Sequence, residues 1–139
     1  MITQHVTAQG DENVRGTHES TLELTTDDWL TPAGDCILGI NASHSAADFE
    51  PEFINAASDP TTEITCTLSV GTVSTQIIGR GASELTFRDP RSLVLRTSTY
   101  VDERTVMVEA NRAAIDIERE LISELQTGAE LSATFSLST

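Results

Sequence analysis

The chain has 139 residues, which is enough for one domain built on a single hydrophobic core. It carries 22 acidic residues against eight basic ones, all eight of them arginine, for a net charge of −14. No apolar run approaches the roughly 18 residues of a membrane span, and the N-terminus has no signal-peptide pattern. These features exclude a membrane partner and predict a cytoplasmic protein. Cys36 and Cys66 are too few for a disulfide framework. We therefore expect a reducing compartment.

The acidic residues are spread through segments of periodic hydrophobicity and do not form a separate tail. This distribution is not that of a disordered acidic segment. A large negative charge without any lysine favours adaptation to high cytoplasmic salt. Because the acidity then reports habitat, it does not exclude an anionic partner.

The first half of the chain reads as three strands, a helix and a strand. Leu22 and Leu24 alternate with Glu19 and Glu23, which predicts a strand with its acids facing water. Proline fits only the first turn of a helix, so the helix is expected to begin near Pro51. The predicted elements are strands at 2–8, 17–26 and 36–42, a helix at 51–58 and a strand at 63–70.

The second half repeats this order. A shift of 71 residues sets positions 2–26 against 73–97 without a gap, and small deletions are needed beyond that point. Asn111 is the candidate N-cap of a second helix, which ends near Gly128 and is followed by a strand at 130–137. We therefore predict two repeats, at about 1–71 and about 72–139, within one domain spanning 1–139.

The predicted fold is α+β and rich in strands. A strand, a helix and a further strand in succession typically form a right-handed parallel crossover. Two pseudo-symmetric strand-strand-strand-helix-strand repeats would form one barrel-like or curved sheet with two flanking helices, because closure removes exposed edges. This architecture alone carries no function.

Several separated motifs resemble those of an uncharacterised archaeal family known as domain of unknown function family 371. They lie at residues 10–18, 30–36, 90–92, 104–105 and 113–121. The similarity extends over nearly the whole chain, and the acidic, lysine-free composition is similar to that of a haloarchaeal member. Basic positions expected beside some motifs are absent here. The resemblance implies no activity, cofactor or partner.

The arginines are divided unequally between the halves, since Arg15 alone lies in the first and seven lie in the second. Arginine binds phosphate and carboxylate through its planar fork, so a cluster of arginines indicates an anion site. The alternative is that they pair with neighbouring acids on a solvated face. The candidate ligand-binding arginines are Arg88, Arg91, Arg96 and Arg104.

A second group of candidates is specific to the first half. Asn13, His18 and Asp35 are candidate ligand-binding residues, and Cys36 is a nucleophile if its pKa is lowered. The alternative is that His18 is a hydrogen-bonded surface or turn residue and Cys36 is a core residue. Histidine and cysteine spacing indicates no metal site, and no glycine-rich phosphate loop is present, so no cofactor is predicted.

Three functions remain open from the sequence. The first is a binding module for an anionic ligand, either a phosphorylated small molecule or RNA, held by the arginines of the second half. The second is a small enzyme that uses His18 with Asp35 or Cys36. The third is a protein-interaction or assembly factor. The sequence does not decide whether the protein is an enzyme, and it leaves the oligomeric state open.

Overall fold

The computed structural model describes residues 2–138, which form eight strands, two short helices and two 3-10 turns. The first half contains β1 (Thr3–Gln9), β2 (Thr21–Thr25), β3 (Ile37–Gly39), the turn Ala46–Asp48, α1 (Pro51–Ala57) and β4 (Glu63–Val70). The second half contains β5 (Val73–Arg80), β6 (Ser92–Arg96), β7 (Thr105–Met107), the turn Ala114–Asp116, α2 (Arg119–Leu125) and β8 (Glu130–Ser138). The protein is therefore α+β and rich in strands, as predicted.

The strands form two sheets of four. The first sheet has the order β1-β8-β4-β5 and is antiparallel throughout. The second has the order β3-β2-β6-β7, in which the central pair is antiparallel and each outer strand is parallel to its neighbour. Each sheet thus contains two strands from each half of the chain.

This arrangement corrects two predictions. Within residues 2–138 the strands form two sheets instead of one, and these sheets meet at single bridges, Gln9–Ile40 and Arg80–Val108, without a closed barrel. The expected parallel crossover is also wrong, because β3 and β4 belong to different sheets. The parallel partner of β3 is β2, which it reaches through the loop at 26–36 without a helix.

The two halves make equivalent contacts. The Gly10 N–H donates to the Ala129 carbonyl at 2.8 Å, and the Gly81 N–H donates to the Thr62 carbonyl at 3.0 Å. Bridges join Gln9 to Ile40 in one half and Arg80 to Val108 in the other. Residues of the first half therefore have identifiable counterparts in the second half.

One hydrophobic core lies between the sheets and includes both helices. The strands of the first sheet alternate buried and exposed residues, so one face of that sheet is solvated. In the second sheet the leucines Leu22, Leu24, Leu93 and Leu95 point into the core. No helix within residues 2–138 is long and apolar enough to cross a membrane.

The first helix follows its prediction and the second does not. Pro51 is the first residue of α1, which ends at Ala57. The second helix begins only at Arg119, because the chain first makes the 3-10 turn Ala114–Asp116. Asn111 is not its N-cap, since its Oδ1 accepts the Ile78 N–H of β5 at 2.9 Å.

Candidate functional site

The outer face of the second sheet is a buried polar layer. Successive strand residues point to opposite faces, so the residues between the core leucines lie on this outer face. Glu23 is only 8% exposed there, which corrects the prediction that it faces water. Thr25, Ser92 and Arg96 are buried on the same face. Burial of ionised groups requires partners, and the loops after β2 and β6 provide them.

Arg96 is the most deeply buried charge of this layer. Its Nη2 lies 2.9 Å from Asp102 Oδ2, and its Nε donates to Thr105 Oγ1 at 2.8 Å. The guanidinium carbon lies 4.8 Å from the centre of the Tyr100 ring, which is within cation–π distance. The Nε and Nη2 donors of Arg96 are thus engaged within the protein.

Arg104 extends this pairing toward the surface. Its Nη2 lies 3.1 Å from Asp102 Oδ2, and its Nη1 lies 3.6 Å from Glu23 Oε1. Burial alone would raise the pKa of Asp102, but the hydrogen bonds from Arg104 and the positive charge of Arg96 outweigh it and lower that pKa. The four side chains alternate in sign, in the order Glu23, Arg104, Asp102 and Arg96.

Cys36 contacts the same glutamate from the other side. Its Sγ lies 3.5 Å from Glu23 Oε1. Burial and the negative charge of Glu23 raise the pKa of the Cys36 thiol to about 11. The thiol is therefore neutral at physiological pH, which is the opposite of what an activated nucleophile needs. Cys66 is fully buried in β4, and burial raises the pKa of its thiol as well.

Arg91 lies beside this layer and forms a forked ion pair. Its Nη2 and Nε donate to the two carboxylate oxygens of Asp27 at 2.7 and 3.3 Å. The hydrogen bond from Arg91 lowers the pKa of Asp27. The side chain of Arg91 is 65% exposed, so this pair lies at the surface.

A concave feature that we call the arginine depression lies between these loops. It has a volume of about 180 Å³ and is lined by Glu23, Asp27, Asp89, Arg91, Ser92 and Arg104. Both halves of the chain contribute, because Glu23 and Asp27 come from the first and the others from the second. Arg91 and Arg104 are its two cationic groups, and each has a carboxylate partner.

The remaining predicted site residues do not line this depression. Arg88 is exposed, and its guanidinium makes no hydrogen bond or ion pair with residues 2–138. Asn13 Nδ2 donates to the Leu30 carbonyl at 2.8 Å and so holds a loop of the first half. Asp35 acts through its backbone, whose carbonyl accepts the N–H groups of Thr17 and His18 at 3.0 and 3.3 Å.

His18 closes a turn before β2. Its Nδ1 accepts the N–H groups of Ser20 and Thr21 at 3.2 and 3.1 Å. A ring nitrogen that accepts two backbone donors carries no proton, so the ring proton lies on Nε2. His18 Nδ1 also lies 3.0 Å from Thr21 Oγ1, and within residues 2–138 neither the His18 ring nor the Asp35 carboxylate makes a hydrogen bond to Cys36 Sγ, whose partner is Glu23. Within residues 2–138, no group of three or more histidine, cysteine or acidic side chains is placed to hold a metal ion.

Sequence reasoning allowed that the arginines pair with neighbouring acids such as Asp102 but missed Asp27. Asp27 and Asp102 lie in the loops after β2 and β6, and each pairs with an arginine of the second half. The absence of lysine is the signal that could have found them, since arginine is the residue that forms forked and partly buried ion pairs.

The chain is a strand-rich α+β protein with two four-stranded sheets and two short helices. The family described as domain of unknown function DUF371 matches residues 6–138. The chain belongs to this family. An uncharacterized protein of Methanocaldococcus jannaschii is 40% identical over 126 residues, which cover 91% of this chain and 93% of that protein.

Proposed function

We propose that the protein is a binding module for a small phosphorylated ligand, whose phosphate group occupies the arginine depression. The observation that carries this proposal is that Arg91 and Arg104 line one concave site formed by both halves. Two guanidinium groups on one site match the oxygens of a phosphate through paired, charge-assisted hydrogen bonds.

The ion pair of Arg91 does not prevent binding. Solvent screens an exposed pair, so a phosphate that offers the same forked geometry can replace Asp27 at little cost. Arg96, by contrast, stays with Thr105 and Asp102, and the same Asp102 carboxylate holds Arg104. Arg91 and Arg104 are therefore the ligand-contacting residues, and Arg96 is a positioning residue.

The size of the arginine depression favours a small ligand over RNA. A volume of about 180 Å³ is below the range of pockets that enclose a whole drug-sized molecule, so the site takes the phosphate and leaves the rest of the ligand outside. None of the residues that line it is aromatic, whereas single-stranded RNA sites rely on aromatic stacking. The enzyme hypothesis gains no support, because the Cys36 thiol is neutral and His18 Nδ1 is already occupied.

Two finer inferences accompany this proposal. We infer that the halves arose by duplication, which the equivalent hydrogen bonds of Gly10 and Gly81 support. We also infer a salt-adapted archaeal source, which the lysine-free, acidic composition supports. Folding and binding are therefore best measured at both low and molar potassium chloride.

The test compares phosphate binding by three variants with that of the unchanged chain. Titration with inorganic phosphate and glycerol phosphate, followed calorimetrically, should show weaker binding for Arg91→Ala and for Arg104→Ala. Asp27→Asn frees Arg91 from its partner and removes a negative charge, so binding should become tighter, by about three-fold to ten-fold.

Arg15→Ala is the matched control, because Arg15 is an exposed arginine of the first half that lies outside the arginine depression. Its binding should equal that of the unchanged chain. Equal losses for Arg15→Ala and Arg91→Ala, or no gain for Asp27→Asn, would refute the proposal.

A further inference from the structure

A second and larger cavity is lined almost entirely by the second half and shares the loop at 101–104 with the arginine depression, since Asp102 and Glu103 line this cavity and Arg104 lines the depression. It has a volume of about 610 Å³, within the range of small-molecule pockets. Its buried walls are apolar and include Ala82 and Val108, with Val101 beside them. Three exposed glutamates, Glu84, Glu103 and Glu109, also line it. We call this cavity the glutamate cleft.

The equivalent place in the first half is built differently, because Asn13 bonds the loop that carries Leu30. The Val14 N–H donates to the Asp11 carbonyl as the Leu85 N–H donates to the Ala82 carbonyl, so Asn13 corresponds to Glu84. Asn13 Nδ2 bonds the Leu30 carbonyl, and a glutamate has no N–H with which to make that bond.

Loop length completes the difference between the halves. Six residues separate Leu30 from β3, but only three separate Val101 from β7. The longer loop folds back on Leu30, whose Cδ1 lies only 3.0 Å from where a Cβ on Gly34 would stand. Leu30 is buried as a result, whereas Val101 stays partly exposed in the glutamate cleft.

Glu109 holds a backbone conformation that glutamate rarely adopts. Its φ is 52°, in the left-handed region that glycine and asparagine favour. Its equivalent in the first half is Asn41, which also has a φ of 52°. The Asn41 N–H donates to the Asp27 carbonyl and the Glu109 N–H donates to the carbonyl of Ser98, which is the counterpart of Asp27. The second half thus carries a carboxylate at the glutamate cleft where the fold alone prefers asparagine.

The charge of the glutamate cleft has one sign. No basic side chain lines it, and Glu84, Glu103 and Glu109 form no side-chain hydrogen bond or ion pair with residues 2–138. Asp102 also lines it but is already paired with Arg96 and Arg104. Acidic groups are common on this chain, so the concave, mostly apolar surface beside these glutamates is what distinguishes this place.

We propose that the glutamate cleft binds a small organic cation with an apolar body. The apolar part packs against Val101, Val108 and Ala82, and the ammonium group faces the glutamates. The site is distinct from the phosphate site, because the ligand has the opposite charge and contacts neither Arg91 nor Arg104, although Asp102 lines the glutamate cleft and pairs with Arg104.

The test uses phenethylammonium as the probe, with the neutral 2-phenylethanol and the anionic 3-phenylpropionate as comparison probes. Amide NMR shifts of the ¹⁵N-labelled full chain are followed at Ala82, Val101 and Val108, in low and in molar salt. We expect phenethylammonium to shift these amides, and the comparison probes to bind at least about five-fold more weakly.

Glu109→Asn is the informative variant, since it places the residue of the first half at the same backbone conformation. Its melting temperature should hold or rise, while phenethylammonium binding weakens about three-fold. Glu103→Gln with Glu109→Asn should weaken it about ten-fold. Glu124→Gln, which removes an exposed charge from α2, should leave binding unchanged.

Three outcomes overturn the proposal. The first is an absence of amide shifts in the glutamate cleft at any probe concentration tested. The second is equal binding of the neutral or anionic probe. The third is an equal loss for Glu124→Gln and Glu109→Asn, which would show attraction to the overall negative charge alone. Phosphate titration of Glu109→Asn separates the two sites, because it should match the unchanged chain.

Discussion

His18 Nδ1 and Asp89 Oδ2 close equivalent turns in the two halves of the chain. The Asp89 carboxylate accepts the N–H groups of Arg91 and Ser92 at 3.1 and 2.7 Å, as His18 accepts those of Ser20 and Thr21. The backbone hydrogen bonds are equivalent as well, because the His18 N–H donates to the Asp35 carbonyl and the Asp89 N–H donates to the Glu103 carbonyl. His18 is thus explained as a turn residue, although no histidine stands at its place in the second half.

Replacing His18 tests this role. His18→Ala removes the acceptor of two backbone N–H groups and should lower the free energy of unfolding by about 1 kcal/mol. His18→Asp, which installs the residue of the second half, should keep most of that stability. Urea unfolding measures both. A fully stable His18→Ala variant would show that the turn needs no side-chain acceptor and would reopen other roles for this histidine.

The start of α1 and the glycine that follows α2 were predictable from the sequence, because they depend on neighbouring residues alone. Pro51 marks the start of α1 because proline lacks the N–H that a helix interior requires. Gly128 lies just beyond the end of α2 in the left-handed conformation, as a glycine near a helix end is expected to do. Both assignments need only a few residues on either side.

Features that depend on distant parts of the chain were not predictable in this way. Alternation placed Glu23 on the outer face of its strand correctly, but the burial of that face comes from loops that carry Cys36 and Arg104. Asn111 has the chemistry of an N-cap, yet it bonds a strand more than 30 residues away. The glutamate cleft follows from a loop difference of three residues, which the sequence alignment shows only as a gap.

The reactivity of Cys36 should report its burial next to Glu23. With a pKa of about 11, its alkylation by iodoacetamide at pH 7 should be about a hundred-fold slower than that of a thiol with the ordinary value of 9.0. Glu23→Gln removes a negative neighbour and should lower the pKa of Cys36 and speed the reaction. Rates measured from pH 7 to 11 check both effects. A fast reaction at pH 7 would contradict the environment described for this thiol.

The raised pKa of Cys36 also predicts a pH dependence of folding. The folded state holds the thiol proton more tightly than the unfolded state, so the folded state is favoured below pH 9 and this contribution is lost as the pH rises toward about 11. Unfolding experiments over this range should show a loss of stability that is smaller in Cys36→Ala. Equal losses in both proteins would assign the effect to other groups.

Asp102 should be the most important carboxylate of the polar layer. Asp102→Ala leaves Arg96 buried without its acidic partner and should lower the free energy of unfolding by about 2–4 kcal/mol. Arg91→Ala removes a surface pair that solvent screens, so it should cost much less than Asp102→Ala. Urea unfolding of the two variants distinguishes a structural pair from a surface one. Similar costs would contradict the contrast in burial.

Acid unfolding gives a second measure of the same carboxylate. Because the folded-state pKa of Asp102 lies below its ordinary value of 3.8, its contribution is present above that value and is lost as the pH falls through the folded pKa. Wild-type stability should therefore fall more steeply below pH 4 than that of Asp102→Asn. Parallel curves for the two proteins would show that Asp102 does not contribute.

Gly10 and Gly81 should tolerate no side chain. A Cβ on Gly10 would lie 1.9 Å from the Leu125 carbonyl oxygen, and one on Gly81 would lie 2.1 Å from that of Ala57. Both obstacles are backbone atoms at helix ends, which cannot move without shifting α1 or α2. Gly10→Ala and Gly81→Ala should therefore each cost about 3 kcal/mol or more, measured by thermal or urea unfolding.

Gly71→Ala is the control for these two variants. Gly71 has a φ of 59°, but a Cβ there meets no atom within 4 Å, so only the backbone conformation is penalised, by about 1 kcal/mol. A greater loss for Gly10→Ala and Gly81→Ala than for Gly71→Ala supports close packing of each glycine on a helix end. Equal losses would contradict this packing, since neither Gly10 nor Gly81 adopts the left-handed conformation of Gly71.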